Sequence, residues 1–489
     1  MTADEVLARL DALRQRDAPT HGGRVLSYVY DSGLAELDEL AAAAARAVQS
    51  INGLDPTTFP SVALLEADLV RFSRDMLHGD ADVVGSVTSG GTESCLLAVR
   101  TARDLWRAAG GTGVPRLVLP ITAHAAFRKA AHLFCLELDV VPVDAATGIV
   151  RADDIAARLA PDVALVVVSA PSYPHAALDP VGEVAARAAE HGIACHVDAC
   201  IGGFALPWWP HLAPWDFTVE GVTSISADLH KFGYAPKGAS VLLHRGRQRH
   251  RAQYFATTDW PGYPVVNPTL LGSKPAGPLA AAWAIVQHLG AEGFHTLTER
   301  ARRATEALRA AIDGIEGLRV VGDPAGPLLA VATDDAVAVG RRVDPHRWAD
   351  AARARGWLLQ QQPALRQADG SQLARTTHLT ITAVTEQRLP ELVPDLVGAA
   401  DDVRGMPGVD GSHVLASLPP ELGSALAHAL AEGAAPPPGV MAALLAGLGV
   451  GADGALPTEA APLTALIEAL PSGLVEGVLI ELIASMIEP

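Results

Sequence analysis

The stretch SISADLHKFGYAPKGAS, residues 224–240, sets Lys231 and Lys237 close together in a chain that otherwise writes its cations as arginine. Of 37 basic residues, only Lys129, Lys231, Lys237 and Lys274 are lysine. Arginine stays protonated and cannot condense with an aldehyde. Lysine can, once burial or a neighbouring cation lowers its pKa. SISAD reads as a short strand and FGYAPKG as a Gly/Pro loop, so both lysines follow a strand's carboxyl end. That edge is where open α/β sheets bind ligands. A biased composition also leaves a few lysines behind, and for Lys129, on a helix, that is the reading adopted.

Working outward, strands and helices alternate. VALLEADLVRFSRDML (62–77) has a helical pattern, and VALVVVSAP (163–171) is the continuous apolar run of a buried parallel strand. RLVLPIT, GIACHVDA, GVTSISAD and ASVLLHR add further strands. The pattern predicts an α/β fold with a mainly parallel sheet over residues 61–290, after a helical N-terminal segment, 1–60. Residues 291–405 read as a smaller α+β domain, opened by a long helix. From 406 to 489 the chain is an acidic, Ala/Leu-rich helical tail with no Lys or Arg. Its last piece, SGLVEGVLIELIASMIE, puts Leu474, Val478, Leu482, Ile483 and Met486 on one helix face. Packing on the chain's own body or across a dimer is the first reading of that face, and partner docking the second.

The 489 residues carry a net charge of −18, so no basic face for nucleic acid is expected. Four scattered cysteines suit neither a zinc-pair spacing nor a secreted disulfide framework. No apolar run reaches bilayer length, and the start has no signal-peptide pattern. A soluble, cytoplasmic protein is the expectation.

Three further motifs fall at predicted strand ends. TSGGTES (88–94) is a glycine turn opening a helix, where backbone N–H groups form an anion site; it is also a common tight turn. HVDACIGG (196–203) ends a strand on Asp198, which could pair with a protonated ring nitrogen or cap the next turn. His124, in ITAHAAFRKA, could stack on an aromatic ring or be structural. Phosphate turn, stacking His, ring-nitrogen Asp and Schiff-base Lys are the services pyridoxal phosphate needs.

With PHAALDP, TDWPGYPVVNPTLLGSKPAG and ARGW, these motifs resemble the fold-type-I enzymes of the group II pyridoxal-phosphate-dependent decarboxylase family. Within it the chain is most similar to the sphingosine-1-phosphate lyases, over residues 24 to 406. The resemblance implies an aspartate-aminotransferase-like large domain, pyridoxal 5'-phosphate bound to Lys231 as an imine, and a homodimer with shared active sites. It places His230, Gly91 and Thr92 at the cofactor phosphate, Asp198 at the pyridine nitrogen and His124 on the ring. It places substrate binding at Tyr30, Asn52, Lys237 and the position held by Asp55, where the family has His.

An aspartate beside a phosphate dianion is repulsive. Lys274 also replaces an arginine fork in GSKPAG. On these grounds the expected reaction is carbon–carbon cleavage, narrowly decarboxylation of an amino acid. Retro-aldol cleavage of a phosphorylated amino alcohol is the alternative. A catalytically silent scaffold and transamination are further ones. Tyr173 and Tyr263 are candidate proton donors, and either could equally be packing.

Overall fold

The computed structural model describes residues 1–416 and 458–488, with isolated positions between them. Its centre is a seven-stranded sheet of β1 (Val83–Thr88), β2 (Arg116–Pro120), β3 (Glu137–Val141), β4 (Val163–Ser169), β5 (Ala194–Asp198), β6 (Ser224–Ala227) and β7 (Ser240–Arg245), in the order β1-β7-β6-β5-β4-β2-β3. β4 is buried along its whole length, as its unbroken Val/Leu run requires of a strand covered on both faces. Strands β6, β5, β4, β2 and β3 are parallel, and β7 runs antiparallel to both neighbours, β1 and β6. This is the α/β architecture read from the sequence.

The register decides what meets at the carboxyl edge. Asp198 lies opposite Ser169 on one side and Ser226 on the other. Because β7 is reversed, its first residue, Ser240, lies beside Thr88 at the end of β1. The ends of β1, β5 and β6 therefore gather around the start of β7. The next segment forms a hairpin that the sequence reading missed, β8 (Phe255–Thr257) with β9 (Val265–Asn267).

A long helix, Gly277–Asp313, leads to the second sheet and bends at Gly290, whose φ of 55° favours glycine. Phe294, just past the bend, is fully buried and stacks on Trp208 with centroids 5.6 Å apart. The second sheet contains β10 (Leu318–Val320), β11 (Leu328–Thr333), β12 (Gln360–Gln362) and, after the small hairpin β13 (Leu365–Arg366) with β14 (Gln372–Leu373), β15 (Thr376–Thr380). It is antiparallel, in the order β10-β11-β15-β12. The N-terminal segment is not only helical. Leu26 donates to the Leu358 carbonyl and accepts from Thr380, tying the early chain to this sheet.

Three tail helices are described, a short one at Gly411–Ala416 and the pair Ala461–Ala469 and Ser472–Ile487. Ala461–Ala469 is held by Asp350, which accepts the N–H groups of Ala460 and Ala461, and by the Arg375–Glu468 ion pair. Leu474, Val478 and Leu482 are buried with Leu466 and Leu470, whereas Ile483 and Met486 are exposed. The expected apolar face is thus wider than its contact surface.

Candidate active site

The loop after β6 carries Lys231, and its ammonium lies 2.9 Å from the Asp228 carboxylate. Asp228 is buried and also accepts from the Ser240 hydroxyl at 2.6 Å, with His230 Nε2 at 3.5 Å. Burial works against both charges. For Lys231, Asp228 overrides it and holds the amine well above its ordinary value. For Asp228, Lys231 and then His230 override it and hold the carboxyl below the usual carboxylate range. The sequence argument expected burial or a cation to lower the lysine's pKa. The carboxylate three residues upstream reverses that sign in the free chain, so Lys231 is stored as a protonated ion pair.

The glycine turn packs on this loop. A Cβ on Gly91 would lie 2.7 Å from Asp228 Oδ2 and 2.8 Å from Cys200 Sγ, so only glycine allows the approach. Gly91 opens the helix Gly91–Ala108, whose first-turn N–H groups lack intrahelical acceptors. Thr92, exposed, follows it. The hydroxyls of Thr88, Ser94 and Ser240 connect the turn to Asp228, at 2.7 Å and 3.1 Å between successive oxygens. Glu93 is buried and accepts the N–H groups of Ser89 and Leu270, both at 2.6 Å. Asp228, Ser240 and Glu93 were not singled out from the sequence. Asp228 offered a signal, a charged residue at the end of an otherwise uncharged strand.

Asp198 ends β5, is buried, and accepts from the Cys200 N–H at 3.0 Å and the Ser226 hydroxyl at 3.4 Å. His124 is exposed after β2, and its Nδ1 accepts the Ala126 N–H at 3.2 Å. That bond leaves Nε2 as the protonated nitrogen of the neutral ring.

Lys237 donates to the His230 carbonyl at 2.9 Å and lies 4.7 Å from the centre of the Tyr30 ring. Burial, with Lys231 nearby, lowers its pKa to about 8. Burial raises Tyr30 to about 12, and its ring meets Phe232 edge-on at 5.2 Å. Tyr173 stacks on His378 at 4.1 Å and donates to Gln360, which in turn bonds the Tyr28 hydroxyl.

Asn52 and Asp55 lie in a second, broad groove, which adjoins the glycine turn through Gly53 and Lys274. They line it with Arg74, Tyr254, Tyr263 and Lys274, and Lys231, Lys237 and Tyr30 form no part of it. Asn52 accepts the Leu54 and Lys274 N–H groups. Asp55 is exposed and accepts the hydroxyls of Thr57 at 2.6 Å and Thr58 at 2.7 Å, plus both their N–H groups. These bonds lower its pKa to about 2. Its charge is committed to its own turn, and it makes no pair with Lys237. Tyr263 sits exposed on the β8–β9 hairpin, where its carbonyl accepts from the Trp260 indole N–H.

Residues 34–330 match the family model "Pyridoxal-dependent decarboxylase conserved domain". The chain belongs to this family. Rat sphingosine-1-phosphate lyase 1 is 36% identical over 78% of the chain and 65% of the rat protein. The rice sphingosine-1-phosphate lyase is 33% identical over 83% of the chain and 74% of the relative. Among solved structures, the sphingosine-1-phosphate lyase of Burkholderia pseudomallei superposes with a TM-score of 0.75 at 34% identity, covering 83% of this chain and 92% of that one. A glutamate decarboxylase from Lactobacillus brevis, at 19% identity and TM-score 0.73, shares the fold. The chain thus lies in the sphingosine-1-phosphate lyase-like part of the family, and spans slightly under two thirds of the rat protein.

Family membership makes pyridoxal 5'-phosphate the cofactor. The residues fit it. Gly91 keeps a cradle that a Cβ would fill, a helix N-terminus opens beside it, and Lys231 and buried Asp198 stand on adjoining strand ends. The comparisons also overturn the narrower expectation of amino-acid decarboxylation, because the relatives of substantial identity carry the name sphingosine-1-phosphate lyase. The physical reason is Asp55. Its carboxylate was read as repelling a substrate phosphate, but it stands in solvent, which screens its charge, and its oxygens are engaged by the donors of its own loop. A second model, "Pyridoxal-dependent enzyme, C-terminal putative HTH domain", matches residues 412–485, where this chain has no Lys or Arg with which to meet phosphates.

Proposed function

We propose that the protein is a pyridoxal-phosphate-dependent carbon–carbon lyase that cleaves a phosphorylated amino alcohol in the retro-aldol sense, giving an aldehyde and an amino phosphate. The observation that carries this reading is Lys237. It is an ammonium fixed by the His230 carbonyl over Tyr30, on the same loop as Lys231. A cation there suits an anionic substrate head held beside the reactive amine.

Bound at Lys231, the cofactor supplies an electron sink for the bond broken at the amine-bearing carbon. The chain supplies the rest. Asp228 stores the Lys231 proton until the amine is needed. The turn at Gly91 and Thr92, with His230, receives a phosphate, and buried Asp198 keeps a ring nitrogen protonated. His124 covers the ring. Lys237 and Tyr30 fix the substrate's phosphate, which orients the bond to be broken.

Asn52, Asp55 and Lys274 line a groove apart from Lys231, and this supports a site completed across a homodimer. No helix among the described residues is long and apolar enough to cross a membrane. This supports a reading in which the described chain works in the aqueous phase.

The test is product analysis with a phosphorylated sphingoid base. Long-chain aldehyde with phosphoethanolamine is expected. Turnover of amino acids to amines and carbon dioxide, with the phosphorylated base untouched, would refute the reading. Mixed dimers of Lys231→Ala and Asn52→Ala chains should regain activity that neither parent has. Failure to do so removes the shared site.

A further inference from the structure

Beneath the glycine turn lies a cluster of which the proposed reaction uses only Asp198. Cys95 sits in the first turns of the helix Gly91–Ala108, and Cys200 follows Asp198 after β5. Both thiols are buried. Their sulfurs and a carboxylate oxygen of Asp198 all lie within 4.8 Å of one another. Two sulfurs and one oxygen converging in a buried space form the donor set of a thiophilic divalent cation, with a fourth position left for water.

We propose that Cys95, Asp198 and Cys200 bind a thiophilic divalent cation of the zinc class, and that this cation and the cofactor compete for Asp198.

The dimensions suit such an ion. Zinc–sulfur bonds of about 2.3 Å in a tetrahedron set neighbouring sulfurs about 3.8 Å apart. Closing from separations of at most 4.8 Å asks for roughly 1 Å of side-chain movement. An outer layer is already in place. The Ser226 hydroxyl lies 3.2 Å from Cys200 Sγ, 3.4 Å from Asp198 Oδ1 and 3.2 Å from His196 Nε2, so its one hydrogen can be donated to either of two ligands. The charge balance is also suitable. The cation replaces one proton on each thiol, and two thiolates with one carboxylate neutralise it with a single negative charge to spare. That residual charge lies close to Asp228, whose partner Lys231 offsets it. The other two cysteines are excluded by position. Cys135 is exposed at the end of the helix Ala126–Phe134, and Cys195 is buried within β5.

The competition rests on the reading that Asp198 serves the cofactor's ring nitrogen. A dication on one oxygen of Asp198 withdraws that carboxylate's charge and repels a pyridinium cation brought to the other oxygen. The cation would therefore occupy the cofactor-free chain and be expelled on loading.

The probe is Cd2+, read by the near-ultraviolet absorption of thiolate–cadmium bonds in the full-length chain with and without pyridoxal phosphate. One equivalent should bind the cofactor-free chain. Cys95→Ser and Cys200→Ser should each lose most of the band, and Cys135→Ser should keep it. Cys200→Ala, checked for an unchanged circular-dichroism spectrum, guards against misfolding. Loading with cofactor should weaken cadmium binding at least about tenfold, a ligand-competition effect. Absence of the band, or a band indifferent to both cysteines, overturns the site. Equal cadmium binding with and without cofactor overturns the competition. The function reading is tested separately by the products and by the Lys231 chromophore, neither of which depends on cadmium.

Discussion

Asp228 and Asp55 are both held below the ordinary carboxylate range, by opposite means. Asp228 is buried, and the Lys231 ammonium, the His230 ring and a serine hydroxyl outweigh its loss of water. Asp55 stands in solvent and is satisfied by two threonines of its own turn. The first carboxylate is coupled to a reactive lysine and through Ser240 to the glycine turn. The second is coupled to nothing beyond residue 58. A depressed carboxyl marks chemistry when its partners include a reactive group, as Lys231 is and Thr57 and Thr58 are not.

The sharpest way to break the comparison is Lys231→Ala. It should abolish the protein's yellow cofactor absorbance and its turnover. It also strands Asp228 as an unpaired buried charge, at a cost of about 3 kcal/mol in urea unfolding. Lys231→Ala with Asp228→Ala should recover most of that loss. A double variant no more stable than the single one would show that the pair does not support itself.

Lys237→Ala comes next. Losing a charged hydrogen bond to the substrate should raise KM for a phosphorylated amine about 10- to 100-fold, with a smaller change in kcat. Because Lys237 titrates at about 8, kcat/KM should fall as the pH rises through that value, and Lys237→Arg should flatten the decline. An unchanged profile in Lys237→Arg would remove Lys237 from phosphate binding.

Acid unfolding compares the two carboxylates directly. Each has a folded pKa below its unfolded one, so each stabilises fully above about pH 4 and loses its contribution as the pH falls toward its own value. The double variant at Lys231 and Asp228 should lose a large part of the stability slope below pH 4. Asp55→Asn should lose only a shallow part, between there and about pH 2, because solvent screens an exposed group. The smallest effect expected is that of Asp55→Asn on KM for the phosphorylated substrate, which should stay close to the parent value. A large rise or fall would restore Asp55 to the site.

What was legible follows the range of each interaction. The strand ends at Asp198 and Lys231 and the turn at Gly91 are local patterns, and the fold delivers them to one edge. The pairing of Thr88 with Ser240 depends on β7 running backwards between β1 and β6, which no local pattern announces. The proximity of Cys95 to Cys200, and the link from Tyr173 through Gln360 to Tyr28, likewise join distant segments. Asp55 is the instructive failure, because its signal was local. Asp-Pro-Thr-Thr supplies the side-chain and backbone donors of a self-capped turn. Comparison with the family's histidine drew attention away from the two threonines beside it.

Glu93 has a consequence of a mechanical kind. Its two oxygens hold Ser89, in the glycine turn, and Leu270, in the segment leading to Lys274 and Asn52. A buried carboxylate with one donor missing is costly, so seating either segment lowers the work of seating the other. The yoke ties the place where a phosphate is received to the wall of the neighbouring groove, and the two halves of the chain's chemistry should order together or loosen together.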